Sequence, residues 1–349
     1  MTALGKTRGD STETILHDNH FLIRLIADIT SQPTHRVQER FISEHRDLGT
    51  NVREALRAHG LAPYTWSDRL VEFYEQTDAF LFESLAWNRT DTKTQMRRWI
   101  VDFLARQSSV PQRVLTYGDG IGFDSLELAR AGHHVTYFDV ARRCQRFARA
   151  VFERGGVVVE QLEDAGDIEA EAFDTVICLD VLEHVPDPPQ LVRELSRVLR
   201  VGGVLVSHAP FYWIHPSVGT HLRSNTRFSG DCARLYRPAN LHPIDGQFFW
   251  NPIVLEKSLP GRKPNRRLPM APRVGGHLLA VARAWNLPHV AMVLLMGHAD
   301  QRALQSLIKD LTDGRQPDRP TPALRSSRPS AAAHKRGSRR NKAISPGLR

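Results

Sequence analysis

The chain has 349 residues, 41% hydrophobic and 24% charged, the balance of an ordinary soluble globular protein long enough for one large core with additions or for two domains. Its three cysteines, Cys144, Cys178 and Cys232, are scattered and form no Cys-x-x-Cys pair, so neither a disulfide framework nor a structural metal is indicated and a reducing cytoplasm is the expected compartment. The net charge of +9 lies at one end: residues 313–349 carry ten Lys/Arg against two Asp/Glu, which is +8 and leaves about +1 for everything before.

That basic tail is rich in Pro, Ser and Ala and nearly lacks large apolar residues, so it is expected to be disordered. Through phosphate contacts it could meet nucleic acid or an acidic surface, but the globular part offers nothing that recognises nucleic acid. Met1 to Thr12 has no apolar h-region, which argues against a signal peptide. The most apolar stretch, His277 to Gly297, is interrupted by Arg283, Asn286, Pro288 and His289. Its longest clean run, Val290 to Gly297, falls well short of the roughly 20 residues of a membrane helix, so no membrane span is expected there, only a core helix and a buried strand.

Residues 14–108 read as helical. Thr92 or Asp91 can cap a helix that repeats Met96, Ile100, Phe103 and Leu104 on one face. Upstream, Trp66 to Trp87 places Leu70, Phe73, Tyr74, Phe80, Leu81 and Leu85 on one broad apolar side. This prefix, 1–108, is placed to form a lid or a substrate wall for the domain that follows.

From Gln112 short apolar runs alternate with helical stretches. The pattern predicts strands at Arg113–Tyr117, His134–Asp139, Val157–Leu162, Phe173–Leu179 and Gly203–His208, with helices at Phe123–Ala131, Ala141–Arg154 and Pro189–Arg200. Such alternation implies an α/β fold: a Rossmann-like, doubly wound, mostly parallel sheet covered on both faces. Its ligand site belongs beyond the carboxyl ends of the strands. The domain is expected to run over 109–312, with an irregular acceptor-side insertion at 211–289. Gln247–Leu255 reads as a strand, 260–273 as a loop and Val290–Met296 as a last strand, so that an antiparallel hairpin would complete the sheet edge.

The first strand runs into Gly118-Asp119-Gly120-Ile121-Gly122, glycines that let the chain turn sharply and a ligand approach its backbone. A dinucleotide fingerprint has the spacing G-x-G-x-x-G. Here Phe123 stands at the third place and the spacing is G-x-G-x-G. Asp139 closes the second strand 21 residues after Gly118, where a carboxylate can accept from both hydroxyls of a ribose. It supports an adenosine ligand without choosing between cofactor classes.

The segment Phe173-Asp174-Thr175-Val176-Ile177-Cys178-Leu179-Asp180-Val181-Leu182-Glu183-His184-Val185-Pro186-Asp187-Pro188, followed by Leu199-Arg200-Val201-Gly202-Gly203-Val204-Leu205-Val206, resembles the class I S-adenosylmethionine-dependent methyltransferases of the type 11 kind. With the glycine loop and Asp139, four elements stand in that family's order across about 100 residues. The resemblance implies S-adenosylmethionine as cofactor. Tyr117, Gly118, Asp119, Gly120 and Gly122 would line its methionine and ribose end, and Asp139 would take the ribose hydroxyls. Glu163 or Asp164 would contact adenine, and Asp180 would flank the methionine and the transferable methyl. One position departs from the pattern: Thr116 stands where the family usually has an acid that helps hold the amino end of the cofactor, and Asp119 is the residue that could compensate.

Methyl transfer to a hydroxyl also needs a base, and histidine is the natural provider. His184 and His221 are the candidates, with His208 and His215 as further members of the group. The expected acceptor is a small molecule, a glycan or a lipid precursor. The alternatives are a nucleic-acid or protein methyltransferase using the tail, and a catalytically silent S-adenosylmethionine-binding protein.

Overall fold

The computed structural model of the chain describes residues 9–229, 232–246 and 252–264. Seven helices come first: α1 (Thr12–His17), α2 (Asn19–Thr30), α3 (Thr34–Arg46), α4 (Thr50–Ala58), α5 (Arg69–Gln76), α6 (Ala79–Asn88) and α7 (Asp91–Gln107). The side chains of Ser11 and Asp18 cap α1 and α2. Thr90, rather than Thr92 or Asp91, caps α7, because its extended backbone lets its hydroxyl accept from the Lys93 amide at 3.2 Å. The apolar side foreseen over 66–87 is divided between α5 and α6. Thr77 is extended between them, and both carboxylate oxygens of Asp78 accept from the Arg40 guanidinium at 2.8 Å.

The sheet contains β1 (Arg113–Tyr117), β2 (His134–Phe138), β3 (Glu160–Leu162), β4 (Phe173–Leu179), β5 (Leu199–His208), β6 (Leu241–Gly246) and β7 (Ile253–Lys257), with α8 (Phe123–Arg130), α9 (Arg142–Gly155), α10 (Pro188–Val198) and α11 (Cys232–Leu235) between them. Strand order is β3-β2-β1-β4-β5-β7-β6, the first five parallel and the last two antiparallel. This is the Rossmann-like, mostly parallel architecture expected. β1 and β4 have the expected bounds. β3 is shorter than foreseen, since it lies at the sheet edge and Val158 is 94% exposed, while Val157 and Val159 lean on the helical core instead.

The antiparallel hairpin at the other edge is present, but its strands are β6 and β7 rather than one run over 247–255. β6 escaped the sequence reading because Pro243 interrupts its pattern. An edge strand tolerates a proline, since its missing amide needs no ladder partner, and the pairing shifts register there. Residues 265–349, including the strand foreseen at Val290–Met296 and the basic tail, lie outside the described residues. Among the described residues no helix is long and apolar enough to cross a membrane.

Alternation along the strands decides the layers. Val114, Ile177, Leu179, Val204 and Val206 meet Met96, Ile100, Phe103 and Leu104 of α7 on one face. Leu115, Val176, Cys178 and Leu205 meet Leu191, Val192 and Leu195 of α10 on the other. The reversal of strand order between β1 and β4 opens a crevice at their carboxyl ends. The glycine loop leaves β1 there and Asp180 leaves β4 beside it.

Candidate functional site

The loop after β1 is a chain of left-handed glycines, with φ of 77° at Gly118, 58° at Gly120 and 84° at Gly122. Their surroundings differ. A Cβ at Gly122 would stand 2.7 Å from Ala148 Cβ and 2.9 Å from the Phe152 ring, whereas one at Gly120 would meet only Ser84 Oγ, at 3.5 Å. Gly122→Ala is therefore expected to destabilise the fold by about 2–4 kcal/mol, combining left-handed strain with overpacking. Gly120→Ala should lose no more than the strain. Chemical denaturation of the two variants checks this, and equal losses would contradict it.

Asp119 turns back onto its own loop. Its carboxylate accepts from the Ser125 amide at 2.7 Å, the Asp124 amide at 3.2 Å and the Ser125 hydroxyl at 2.5 Å, capping α8. Burial, reinforced by the charge of Asp124, raises its pKa. Thr116 is buried, and its hydroxyl shares a 2.7 Å hydrogen bond with that of Ser125. The acidic residue of this corner is thus Asp119, one shared serine away from Thr116. Tyr117 is half-buried, its ring 5.0 Å from that of Phe138.

Asp139 is buried at the end of β2 and clamps the loop: one oxygen accepts from the Gly120 amide and the other from the Ala141 amide, both at 2.8 Å. Burial pushes its carboxyl up to about 6 against those two amides. Glu163 and Asp164, past β3, are exposed, and Asp164 accepts from the Gly166 amide at 2.8 Å.

Asp180 has a φ of 59°, a strained conformation for a residue with a side chain. Its carboxylate is held from three sides: His208 Nδ1 donates to Oδ1 at 2.5 Å, Trp87 Nε1 donates to Oδ2 at 2.9 Å, and Lys93 Nζ lies 3.7 Å away. Burial alone would raise its pKa, but His208 and Lys93 hold it below the usual carboxylate range. Lys93 and Arg97 in turn grip Asp124 at 2.9 and 2.8 Å.

Three more side chains meet behind Asp180. Glu183 is 1% exposed, and among the described residues neither of its carboxylate oxygens has a hydrogen-bond partner. His221 Nε2 lies 3.8 Å and His184 Nε2 4.0 Å from its Oε1, and the two rings meet edge to face at 4.7 Å. His221 Nδ1 donates to the Trp213 carbonyl at 2.8 Å, while His184 Nδ1 pairs with the Tyr74 hydroxyl at 3.1 Å. Burial lowers both imidazoles, His184 to about 4, and raises Glu183.

Of the four histidines singled out from sequence, then, His184 and His221 converge. His208 serves Asp180, and His215 bonds Ser217 in its own turn at 2.9 Å. The sequence reading missed Glu183, Lys93, Trp87 and Tyr74. The aromatic richness of 66–87 was the only signal for the last two, and it located the wall without the contacts.

A methyltransferase domain model matches residues 115–207. A ubiquinone biosynthesis O-methyltransferase of Hahella chejuensis is 29% identical over 188 residues, covering 49% of this chain and 79% of that protein. One of the same name from Xanthomonas euvesicatoria is 40% identical over 97 residues, covering 27% of this chain and 41% of the relative. The chain thus spans less than half of the Xanthomonas protein. A S-adenosylmethionine-dependent methyltransferase structure from Methanosarcina mazei aligns over 45% of this chain and 97% of its own, with 19% identity and a TM-score of 0.35. The strand order and the paired loops after β1 and β4 define a nucleotide-cofactor α/β protein. Over residues 115–207 the chain is similar to methyltransferases of the class I S-adenosylmethionine-dependent kind.

Proposed function

We propose that the protein transfers the methyl group of S-adenosylmethionine to an oxygen of a small-molecule acceptor. The observation that carries this reading is the pairing of Asp139 and the Gly118–Gly122 loop with Asp180 across the crevice between β1 and β4. The residues present fit the cofactor. Gly120 leaves its Cβ direction open, Asp139 offers a buried acceptor for ribose hydroxyls, and the half-buried Glu83, whose carboxyl is raised by burial and by the charges of Glu44 and Asp180, is a second acid within the field of Asp180. Two neighbouring carboxylates suit a ligand bearing a sulfonium and an ammonium.

The cofactor supplies an already activated methyl, so the chain's own residues act mainly by alignment. Positioning of this kind is worth roughly 7–11 kcal/mol of barrier. Asp180, locked by His208 and Trp87, orients the methionine end. Glu163 and Asp164 border the adenine. His184 and His221 stand neutral where a hydroxyl acceptor would lose its proton. Trp87, Tyr74 and Ser84 reach the site from α5 and α6, which supports the helical prefix as the acceptor-side wall. The oxygen acceptor is supported by the name the curated relatives share.

Titration calorimetry of the full chain with S-adenosylmethionine and with NADH tests the reading. The expected result is binding of the first alone. Binding of NADH alone would overturn it, and cofactor binding without turnover across a panel of hydroxylated acceptors would favour a silent binding protein.

A further inference from the structure

The cluster of Glu183, His184 and His221 holds more than a proton acceptor requires. A buried carboxylate with neither oxygen bonded to another residue is costly by about 1–3 kcal/mol or more, and among the described residues only its own amide and the charge of Lys93 favour the ionised form. The ligating atoms of the three side chains lie within 4.8 Å of one another. Each imidazole is oriented through Nδ1, His221 by the Trp213 carbonyl and His184 by the Tyr74 hydroxyl, which leaves both Nε2 atoms turned toward Glu183. Orientation of one ring nitrogen by a carbonyl or hydroxyl, with the other presented to a common point, is the arrangement that prepares histidines to bind a metal.

We propose that Glu183, His184 and His221 form a divalent-cation site for a first-row transition metal, with open positions that take an oxygen of the acceptor. Two imidazoles and one carboxylate suit Zn²⁺, Fe²⁺, Mn²⁺ or Co²⁺ better than Mg²⁺, which prefers oxygen ligands. Ligands about 2.1 Å from a tetrahedral ion stand about 3.4 Å apart, so the 3.8 and 4.0 Å separations would contract by a few tenths of an ångström. The His184 ring also faces the Thr220 carbonyl. Ligation selects the tautomer in which its Nδ1–H donates to Tyr74. Three protein ligands leave room for an exchangeable oxygen, and a metal-bound hydroxyl loses its proton near neutral pH. The cation site stands without the methyl-transfer reading; only its use on an acceptor rests on it.

The test uses the full chain, freed of metal by a chelator and titrated with Co²⁺ while its visible absorption is followed. The expected result is a set of d–d bands saturating at one equivalent, displaced by Zn²⁺, and weakened about tenfold or more in Glu183→Gln and His221→Gln. Far-UV circular dichroism and S-adenosylmethionine calorimetry on the same samples establish that the variants fold. If one of them does not fold, the other and His184→Asn decide. Absence of bands in the unsubstituted chain, or equal Co²⁺ affinity in the folded variants, would overturn the site and leave Glu183 as a buried protonated acid. Co²⁺ binding in a chain that does not bind S-adenosylmethionine would sink the proposed function but not the metal site.

Discussion

Asp124→Ala is expected to lower the stability of the protein by about 3–5 kcal/mol, because it strands two buried cations. Lys93 and Arg97 have side chains 5% and 7% exposed and reach Asp124 at 2.9 and 2.8 Å. Burial by itself would raise the Asp124 carboxyl, yet the two cations hold it low. Burial would likewise depress Lys93, and Asp124 and Asp180 raise it. After the substitution Arg97 keeps its bond to Asn88 and its place over the Phe123 ring, 6.0 Å away, and Lys93 keeps Asp180, 3.7 Å away. Asp124→Asn preserves the shape without the charge and should lose less. Urea unfolding of the two variants against the parent measures the difference; a loss below about 1 kcal/mol in Asp124→Ala would show that the cations find water. The same change would pull Lys93 toward Asp180, so cofactor affinity should also move.

Asp139→Ala is expected to weaken S-adenosylmethionine binding by about 10–150-fold, the equivalent of losing one charge-assisted hydrogen bond of about 1.5–3 kcal/mol. The substitution also frees the Gly120 and Ala141 amides, so the loop loses its clamp. A pH signature accompanies it. The Asp139 carboxyl is raised from its usual 3.8 to about 6, so it is ionised above pH 6 and protonated below. Ribose hydroxyls donate to the ionised form, and affinity should therefore rise between pH 5 and 7 and level off above. The stability linkage has the opposite sign. The folded state holds this proton more tightly than the unfolded chain, so the stability it brings is present at low pH and is lost as pH climbs from about 4 through 6. Calorimetry across that range on the parent and Asp139→Asn checks both points. A profile that persists unchanged in Asp139→Asn would assign the titration elsewhere.

The sequence by itself determined the parts whose cause is local. β1 and β4 were legible to the residue because they are continuous apolar runs of a sheet covered on both faces. The turn at Gly118–Gly122 was legible because only glycine tolerates three positive φ angles in five residues. Asp139 and Asp180 were legible because each ends a strand that such periodicity marks. Thr116 was visible as a departure, but its partner Ser125 was not, since that bond forms only when α8 folds back over β1. Pro243 hid β6, whose place at the edge is a property of the whole sheet.

Only the tertiary structure decided what each acidic and histidine side chain faces. Asp119 went to its own helix, His208 to Asp180, and His215 to its turn, while a long segment after β5 brought His221 to Glu183 and its chain neighbour His184. Trp87, Lys93 and Tyr74 reached the same crevice from helices that precede the sheet. Side-chain pairs of this kind are set by packing between elements distant in sequence, and periodicity reports which face is buried but not what it is buried against. The loop after β1 was therefore readable as a cofactor loop, whereas the unpartnered carboxylate of Glu183 existed only once the fold had closed around it.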